Sequence, residues 1–334
     1  MLRIGVIGYG YWGPNIVRNF NIANGSQVTM VCDMNQQSLK KVKKAYPQVR
    51  VTTDCGELIR YPKVDAVAIA TPVFTHYEFA KMALTEGKSV FVEKPFTYTN
   101  TEGEELIGLA EKKKLKIMVD HTFLYTGAVR KIKQLVEDNV LGNLFYFDSM
   151  RVNLGLFQHD VNVVWDLAPH DISIMDYLLE EKPLAVVATG AGHFGRGLED
   201  IAYLTFYYHH NIIAHINVNW LSPVKVRTTL VGGQKKMLVW NDLEPDEKLK
   251  IYDKGVQVRT KEGKYNLLVD YRSGDMWVPK IEQTEALKLM AESFVDYIEN
   301  GVPVVNDGVA GLKIVKMLTA ANKSLSNNGK MVYL

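Results

Sequence analysis

Cysteine is nearly missing from this chain of 334 residues, where only Cys32 and Cys55 occur. Two cysteines cannot form the disulfide framework of a secreted scaffold, so an apolar core has to carry the fold. Both read as small packed hydrophobes. An excess of one charge is missing too: Lys and Arg number 39 against 37 Asp and Glu. Composition therefore demands no acidic partner, and a nucleic-acid binder would show a basic stripe. The nearest approaches to one, Lys40-Lys41-Val42-Lys43-Lys44 and Lys112-Lys113-Lys114, read as solvated helix faces. Long apolar runs are absent; Val64 to Ala70 falls far short of the roughly 20 residues a membrane span needs. The N-terminus enters a strand pattern at Leu2 with no secretory signature. The expectation is a cytoplasmic protein with no membrane and no nucleic-acid partner. His209, His210 and His215 lack the cysteine or carboxylate neighbours a metal site requires, so no metal is expected.

What is present is a full core, 47% hydrophobic and 23% charged, in a length that suggests about two domains of roughly 100–200 residues. The first 120 residues or so alternate short apolar runs with helix-like stretches. The runs are Arg3–Ile7, Gln27–Cys32, Val64–Ala70, Ser89–Val92 and Lys116–Val119, rich in Val and Ile and without polar alternation. Strands buried on both faces read this way, which predicts a parallel sheet covered by helices. Pro14–Phe20, Gln37–Ala45, His76–Glu86 and Thr101–Lys114 fit those helices. The texture changes after His121. Leu144–Leu154 alternates apolar and polar residues, Asp166–Leu179 is helical in pattern, and strands follow at Leu184–Gly192, Ile201–Tyr208, Ile212–Leu221, Lys225–Val231 and Lys235–Trp240. Strands in succession without helices predict a mostly antiparallel open sheet. Leu287, Met290, Phe294 and Tyr297, then Leu312, Val315 and Thr319, give the core stripes of two terminal helices. The fold class expected is an α/β Rossmann domain, a doubly wound parallel sheet over residues 1–121, followed by an α+β domain over residues 122–334. The terminal helices are candidates to pack back on the first domain.

Gly8-Tyr9-Gly10-Tyr11-Trp12-Gly13 is a G-x-G-x-x-G that follows a buried strand and opens a helix at Pro14. In that context the three glycines serve a tight turn, a close backbone approach to a pyrophosphate, and close helix–strand packing. The helix N-terminus supplies free N–H groups for phosphates. The loop from Gly8 to Gly13, including Tyr11 and Trp12, is therefore the candidate dinucleotide cradle. Asp33 ends the second strand, 20 residues after Gly13, where an acidic residue binds the adenosine ribose. Its charge would repel a 2′-phosphate, so NAD is the expected cofactor.

Glu93-Lys94-Pro95 ends the strand Ser89–Val92, and ligands of open α/β sheets bind beyond the carboxyl ends of the strands. Lys94 is placed to hydrogen-bond a hydroxyl and stabilise a developing alkoxide. Asp166 and His170 are four apart on a helix and share a face, so the carboxylate can orient the imidazole. Histidine suits removal of an alcohol proton near neutral pH. His159 is a weaker candidate for touching substrate, and His121 for lining the crevice.

The glycine loop, Ala70-Thr71-Pro72, Glu93-Lys94-Pro95 and Asp166-x-x-x-His170, in that order, resemble the glucose–fructose oxidoreductase and inositol dehydrogenase family (Gfo/Idh/MocA). The resemblance covers essentially the whole chain. It implies that Lys94, Asp166 and His170 are the catalytic residues. It also implies that Thr71, Pro72, His76, Glu93 and Lys94 line the nicotinamide side of the cofactor, and that the peptide before Pro95 is cis. Tyr11-Trp12-Gly13-Pro14-Asn15 and Trp165 to Asp171 are similar to a bacterial subgroup found among surface-polysaccharide genes. One departure is Val163-Val164-Trp165, where many relatives carry glycines.

The expected activity is hydride transfer between NAD and a secondary alcohol of a sugar ring, with a nucleotide sugar and its C3 as first candidates. Inositol or free-sugar dehydrogenase, ketosugar reductase, redox-neutral NAD-dependent glycosidase and a non-catalytic NAD(H) sensor stay open. Retention of Lys94, Asp166 and His170 together argues against the sensor. Alternating Ile201–Tyr207 and Ile212–Asn219 carry apolar or aromatic residues on both faces, which marks an interface and implies a homodimer or homotetramer. One prediction follows from Asp33 alone. The protein should bind NAD much better than NADP, and Asp33→Ala should narrow the gap by relieving repulsion toward the 2′-phosphate. Equal affinity of the wild type for the two dinucleotides, measured by titration, would remove Asp33 from this role.

Overall fold

The computed structural model describes residues 1–155, 160–179, 181–194, 197–258 and 269–334. The chain divides into two compact units, one of Met1–Thr126 with Thr284–Thr319, the other of Gly127–Gln283 with Ala320–Leu334.

The first unit runs β1 (Leu2–Ile7), α1 (Gly13–Ile22), β2 (Ser26–Cys32), α2 (Gln36–Ala45), β3 (Arg50–Thr52), α3 (Cys55–Arg60), β4 (Ala66–Ile69), α4 (His76–Thr85), β5 (Ser89–Val92), α5 (Asn100–Lys113) and β6 (Ile117–Val119). Among the described residues these strands form a sheet in the order β3-β2-β1-β4-β5-β6, parallel throughout. Every residue of β4 and β5 is buried, which is why these runs show no polar alternation. Side chains mark the helix starts: Asn35 and Asp54 accept backbone N–H groups of α2 and α3, and Thr99 with Glu102 builds a reciprocal capping box on α5. The lysines of α2 and the end of α5 are exposed, the solvated faces expected of them.

The unit's core is completed from the far end of the chain. Leu287, Met290, Ala291, Phe294 and Val295 lie in the same apolar cluster as Val6, Phe20 and Phe91. Phe20, Phe91 and Phe294 pack edge to face with centroids 5.3–5.9 Å apart, the arrangement that ring quadrupoles favour.

The second unit contains α6 (Gly127–Glu137), β7 (Leu144–Leu154), α7 (Val163–Leu178), β8 (Ala185–Ala191), β9 (Ile201–Tyr207), β10 (Ile213–Asn219), β11 (Leu221–Gly233), β12 (Met237–Asn241), β13 (Leu249–Val258) and β14 (Val269–Trp277). Then α8 (Ala286–Glu299) belongs to the first unit, α9 (Gly308–Ser326) passes from the first into the second, and β15 (Val332–Tyr333) ends the chain. The described strands form a sheet ordered β14-β13-β12-β11-β7-β10-β9-β8-β15. It is antiparallel except where β10 runs parallel to β7. Several elements escaped the sequence reading. β3 and α3 are too short to show a period, and β13 interleaves Lys, Asp and Gly with its apolar residues. α6 does carry a helical stripe, Ala128, Val129, Ile132 and Leu135, all buried.

α7 is held on the sheet by a buried ion pair. Arg151, on the inward parity of β7 with Phe147 and Ser149, donates through Nε to Asp171 Oδ2 at 2.5 Å, and Ser149 donates to Asp171 Oδ1 at 2.6 Å. The Arg151 and Asp171 side chains are 5% and 2% exposed. Removing one partner of such a pair strands the other charge. Asp171→Asn should therefore destabilise the protein by about 3–5 kcal/mol in urea unfolding. The double substitution Asp171→Leu with Arg151→Met should recover much of that loss. A single variant with the wild-type midpoint would show that the clamp contributes nothing.

Candidate active site

The cradle is built as the glycine pattern requires. Gly8 has φ +96°, and a Cβ there would sit 2.4 Å from the Ala70 carbonyl oxygen. A Cβ on Gly13 would stand 2.3 Å from the Gly8 carbonyl oxygen, so α1 approaches β1 only because position 13 has no side chain. A Cβ on Gly10 would meet no protein atom within 4 Å. Packing thus asks nothing of Gly10, whereas a pyrophosphate lying on the loop would. α1 begins with Trp12 at its cap, without a side-chain acceptor, and has no acidic residue in its first turn. Its leading N–H groups keep the positive end of the helix dipole for an anion.

Asp33 stands at the end of β2 with its carboxylate fixed by backbone. Tyr9 N–H donates to Oδ2 at 2.6 Å and Asn35 N–H to Oδ1 at 2.7 Å. A carboxylate has about four acceptor sites, so two N–H bonds leave capacity for a pair of ribose hydroxyls. The Gly8 N–H donates to the Cys32 carbonyl at 2.8 Å, which locks the glycine turn to the same strand end. Tyr11 is 87% exposed. This arrangement fits an NAD whose pyrophosphate rests on Gly8–Gly13 and whose adenosine ribose meets Asp33.

At the ends of β4 and β5 the Lys94–Pro95 peptide is cis, as the resemblance implies. His76 opens α4 and is buried, with Nε2 2.8 Å from the Thr71 carbonyl oxygen and Nδ1 2.9 Å from that of Pro95. Its imidazole spans the two segments, Thr71-Pro72 and Lys94-Pro95, and burial lowers its pKa. Thr75 donates to the Thr71 hydroxyl at 2.7 Å. His76 therefore sits between the loops, its neutral imidazole donating to one of the two carbonyls and packing its other nitrogen against the second.

Glu93 is half-buried as a residue, but its carboxyl is packed away from water. It accepts the Lys94 N–H at 2.9 Å and is hydrogen-bonded to Asp120 at the end of β6. Burial, and then the Asp120 charge, push its pKa well above the usual carboxylate range, because two adjacent buried carboxyls cannot both ionise. Asp120, 1% exposed, also accepts the Trp12 indole N–H at 2.9 Å and the Thr122 hydroxyl. One network thus joins the glycine loop, Lys94 and β6. Next to it His121 is 2% exposed, and neither ring nitrogen has a hydrogen-bond partner among the described residues. Burial, and secondarily Lys94, hold its pKa down to about 3.

In the second unit, Asn162 caps α7 by accepting the Trp165 N–H at 3.2 Å, and Asp166 lies in the first turn. Pro169 sits inside the helix and has no N–H for the Trp165 carbonyl. Asp166 and His170 are both half-buried, and Asp166 Oδ2 accepts the Trp220 indole N–H at 3.1 Å. His170 directly precedes Asp171, so the buried clamp to Arg151 fixes the helix turn that carries it.

Sequence reasoning missed Asp120, Trp220, Ser149, Arg151 and Asp171. A signal existed for one of them: an arginine on the core parity of an alternating strand demands a buried anion. His159 lies outside the described residues. His215, on β10, stacks on Tyr203 and meets Thr205 at 3.1 Å. The described residues hold no cluster of three potential metal ligands and no helix long and apolar enough to cross a membrane.

Comparison with known proteins agrees with this architecture. Residues 2–121 match the oxidoreductase family with an NAD-binding Rossmann fold, and residues 129–239 match the GFO/IDH/MocA C-terminal domain. An uncharacterized oxidoreductase of Escherichia coli K12, YdgJ, is 32% identical over 181 residues, and the match spans about half the length of each protein, 51%. The UDP-N-acetylglucosamine 3-dehydrogenase of Acidithiobacillus ferrooxidans is 26% identical over 94% of both chains. A crystal structure of that enzyme superposes with a TM-score of 0.83, covering 98% of each chain at 24% identity.

The two buried histidines make stability depend on pH with a definite sign. Unfolded, each binds a proton near pH 6.5; folded, each resists protonation. Their contribution is full above about pH 6.5 and is lost as pH falls toward the folded value, about 3 for His121. Each such group imposes a slope of up to about 1.4 kcal/mol per pH unit. Glu93 acts in the opposite direction, since its raised pKa favours the fold at low pH. His121→Phe should therefore show a shallower fall of melting temperature than wild type between pH 6.5 and 5. Parallel curves would mean that His121 takes up a proton freely in the folded protein.

Proposed function

The chain belongs to the Gfo/Idh/MocA oxidoreductase family, and from that premise we propose that it is an NAD-dependent dehydrogenase of a sugar ring hydroxyl. The observation that carries the cofactor reading is the Asp33 carboxylate, pinned by Tyr9 and Asn35 N–H groups beside an uncapped helix start. A nucleotide sugar is the favoured substrate and C3 the favoured carbon, because a relative matched over 94% of both chains carries that activity in its name. We assign His170 as the base that takes the hydroxyl proton, Asp166 as its orienting carboxylate and Lys94 as the donor that stabilises the alkoxide. NAD, when bound, accepts the hydride. Trp220 supports the scheme from behind, since its indole N–H occupies one oxygen of Asp166 and fixes the carboxylate's rotamer. The Glu93 network holds the Lys94 backbone in the same way. The reverse direction, ketosugar reduction, uses the same groups with His170 giving the proton back.

The same reading includes a homo-oligomer. On β9 and β10 one parity is buried, Ala202, Leu204 and Phe206 with Ala214, Ile216 and Val218. The other parity bears Tyr203, Tyr207 and Ile213, each 36–42% exposed. A second copy covering this face would account for it. Light scattering at micromolar concentration should give a multiple of the chain mass, and a monomer mass would refute the assembly.

The catalytic test is NADH absorbance on mixing protein, NAD and a panel of nucleotide sugars, free sugars and inositol. General-base catalysis typically contributes on the order of 10²–10⁴-fold. His170→Ala and Lys94→Ala should each lose activity on that scale while still binding NAD. A His170→Ala protein with near-normal turnover would take the histidine out of the mechanism. Hydrolysed product without net NADH would replace the dehydrogenase reading with a redox-neutral one.

A further inference from the structure

The chain's two cysteines, 23 residues apart in sequence, meet in the first unit with their sulfurs 3.1 Å apart and both thiols free. Cys32 is the last residue of β2 and fully buried, paired across the sheet with Ile7 and Thr52. Cys55 is the first residue of α3 and partly exposed. The pair sits directly behind the dinucleotide cradle. The Cys32 carbonyl receives the Gly8 N–H, and the next residue, Asp33, is the ribose-binding carboxylate held by Tyr9 and Asn35. Two packed hydrophobes would need no such approach of sulfur to sulfur. A reactive pair needs one reachable sulfur and one resolving sulfur within a short move.

We infer that Cys32 and Cys55 form an oxidisable dithiol, a modification site for low-molecular-weight disulfides, whose closure weakens dinucleotide binding at Asp33. The second half of the statement rests on the NAD reading above; the first does not. Cys55 is the attacking group. It is the accessible sulfur, and the hydrogen bond from Cys32 lowers its pKa, while that bond and burial raise the pKa of Cys32. The Cys55 thiolate attacks one sulfur of a disulfide RSSR, forming Cys55–S–S–R and releasing RS⁻. Cys32 then gives up its proton and attacks the Cys55 sulfur, forming the Cys32–Cys55 bond and releasing the second RS⁻. The protein loses two electrons and two protons, and RSSR becomes two thiols. Bond formation draws the sulfurs from 3.1 Å to about 2.0 Å. The buried partner is anchored in the sheet through Cys32, so the pull is transmitted to the strand end that aims Asp33.

The test uses the full chain, first reduced, then exposed to oxidised glutathione without denaturant. Intact mass should fall by two hydrogens with no glutathione retained, and thiol titration after quenching and unfolding should drop from two to none. The NAD dissociation constant should rise on the order of tenfold, an ordinary size for coupling between sites, and return with dithiothreitol. Cys55→Ser should keep reduced wild-type affinity and ignore the oxidant. A chain that keeps both thiols, or stops at a glutathione adduct, overturns the dithiol. A chain that closes the bond with unchanged NAD affinity overturns the link to Asp33. Failure of the reduced chain to bind NAD at all would count against the cofactor reading, and the mass change would still decide the dithiol.

Discussion

Two carboxyl groups placed side by side away from water repel each other unless one keeps its proton, and the first unit accepts that constraint where its strands converge. Glu93 at the end of β5 and Asp120 at the end of β6 share a hydrogen bond, and Glu93 is the group pushed to hold the proton. The reward is connectivity. Asp120 takes the Trp12 indole from the glycine loop and the Thr122 hydroxyl, while Glu93 takes the Lys94 N–H. Three segments that share no sequence neighbourhood are therefore tied to one another through this carboxyl pair. An apolar pair would pack as well but would position nothing, because dispersion contacts lack direction. Trp12 of the glycine loop and the Lys94 backbone are both tied to this joint.

The second unit solves a similar problem with a different charge state. Asp171 is balanced by Arg151 and further bonded by Ser149, so its charge is retained and compensated. Its position next to His170 matters for chemistry. The base proposed at His170 would have to lie within hydrogen-bond reach of its proton, and α7 contains Pro169, which removes one intrahelical bond just before His170. A helix loosened at that turn would let the imidazole wander. The ion pair immediately after it, with Ser173 bonding back to the His170 carbonyl, restores what the proline takes away. The buried pair thus reads as specification of one helix position more than as net stabilisation, in keeping with the modest balance of desolvation and Coulomb attraction in buried ion pairs.

These devices explain which parts of the molecule were legible in the sequence. The parallel sheet was visible because β1, β4 and β5 are buried on both faces, and burial writes itself as apolar runs without polar alternation. The glycine loop and Asp33 were singled out because the roles proposed for them, backbone approach and ribose binding, restrict residue type at fixed spacing. Lys94, Asp166 and His170 were singled out by the same kind of local pattern. Asp120, Trp220 and the Arg151–Asp171 clamp were not, because each acts across a separation that no local period encodes: 108 residues from Trp12 to Asp120 and 54 from Asp166 to Trp220. The meeting of Cys32 and Cys55 was hidden for the same reason, since α3 is a six-residue helix too short to announce which face of the sheet it covers. β13 and β14 escaped because their polar residues sit at positions where alternation should place apolar ones.

Period-two alternation gives β7 two independent duties. Its inward parity, Phe147, Ser149 and Arg151, is buried and supports α7, while Tyr146, Asp148 and Met150 stand on the other face of the same strand, half-buried or exposed. β9 and β10 repeat the division, with Leu204 and Ile216 inward and Tyr203 and His215 stacked outward. Substitutions on one parity reach the histidine helix without touching the outer face, and those on the other change the outer face without moving the helix. A helix could not separate the two duties so cleanly, because its side chains fan around the axis and neighbouring residues share contacts. A broad sheet under the histidine helix therefore lets its inner and outer faces vary separately.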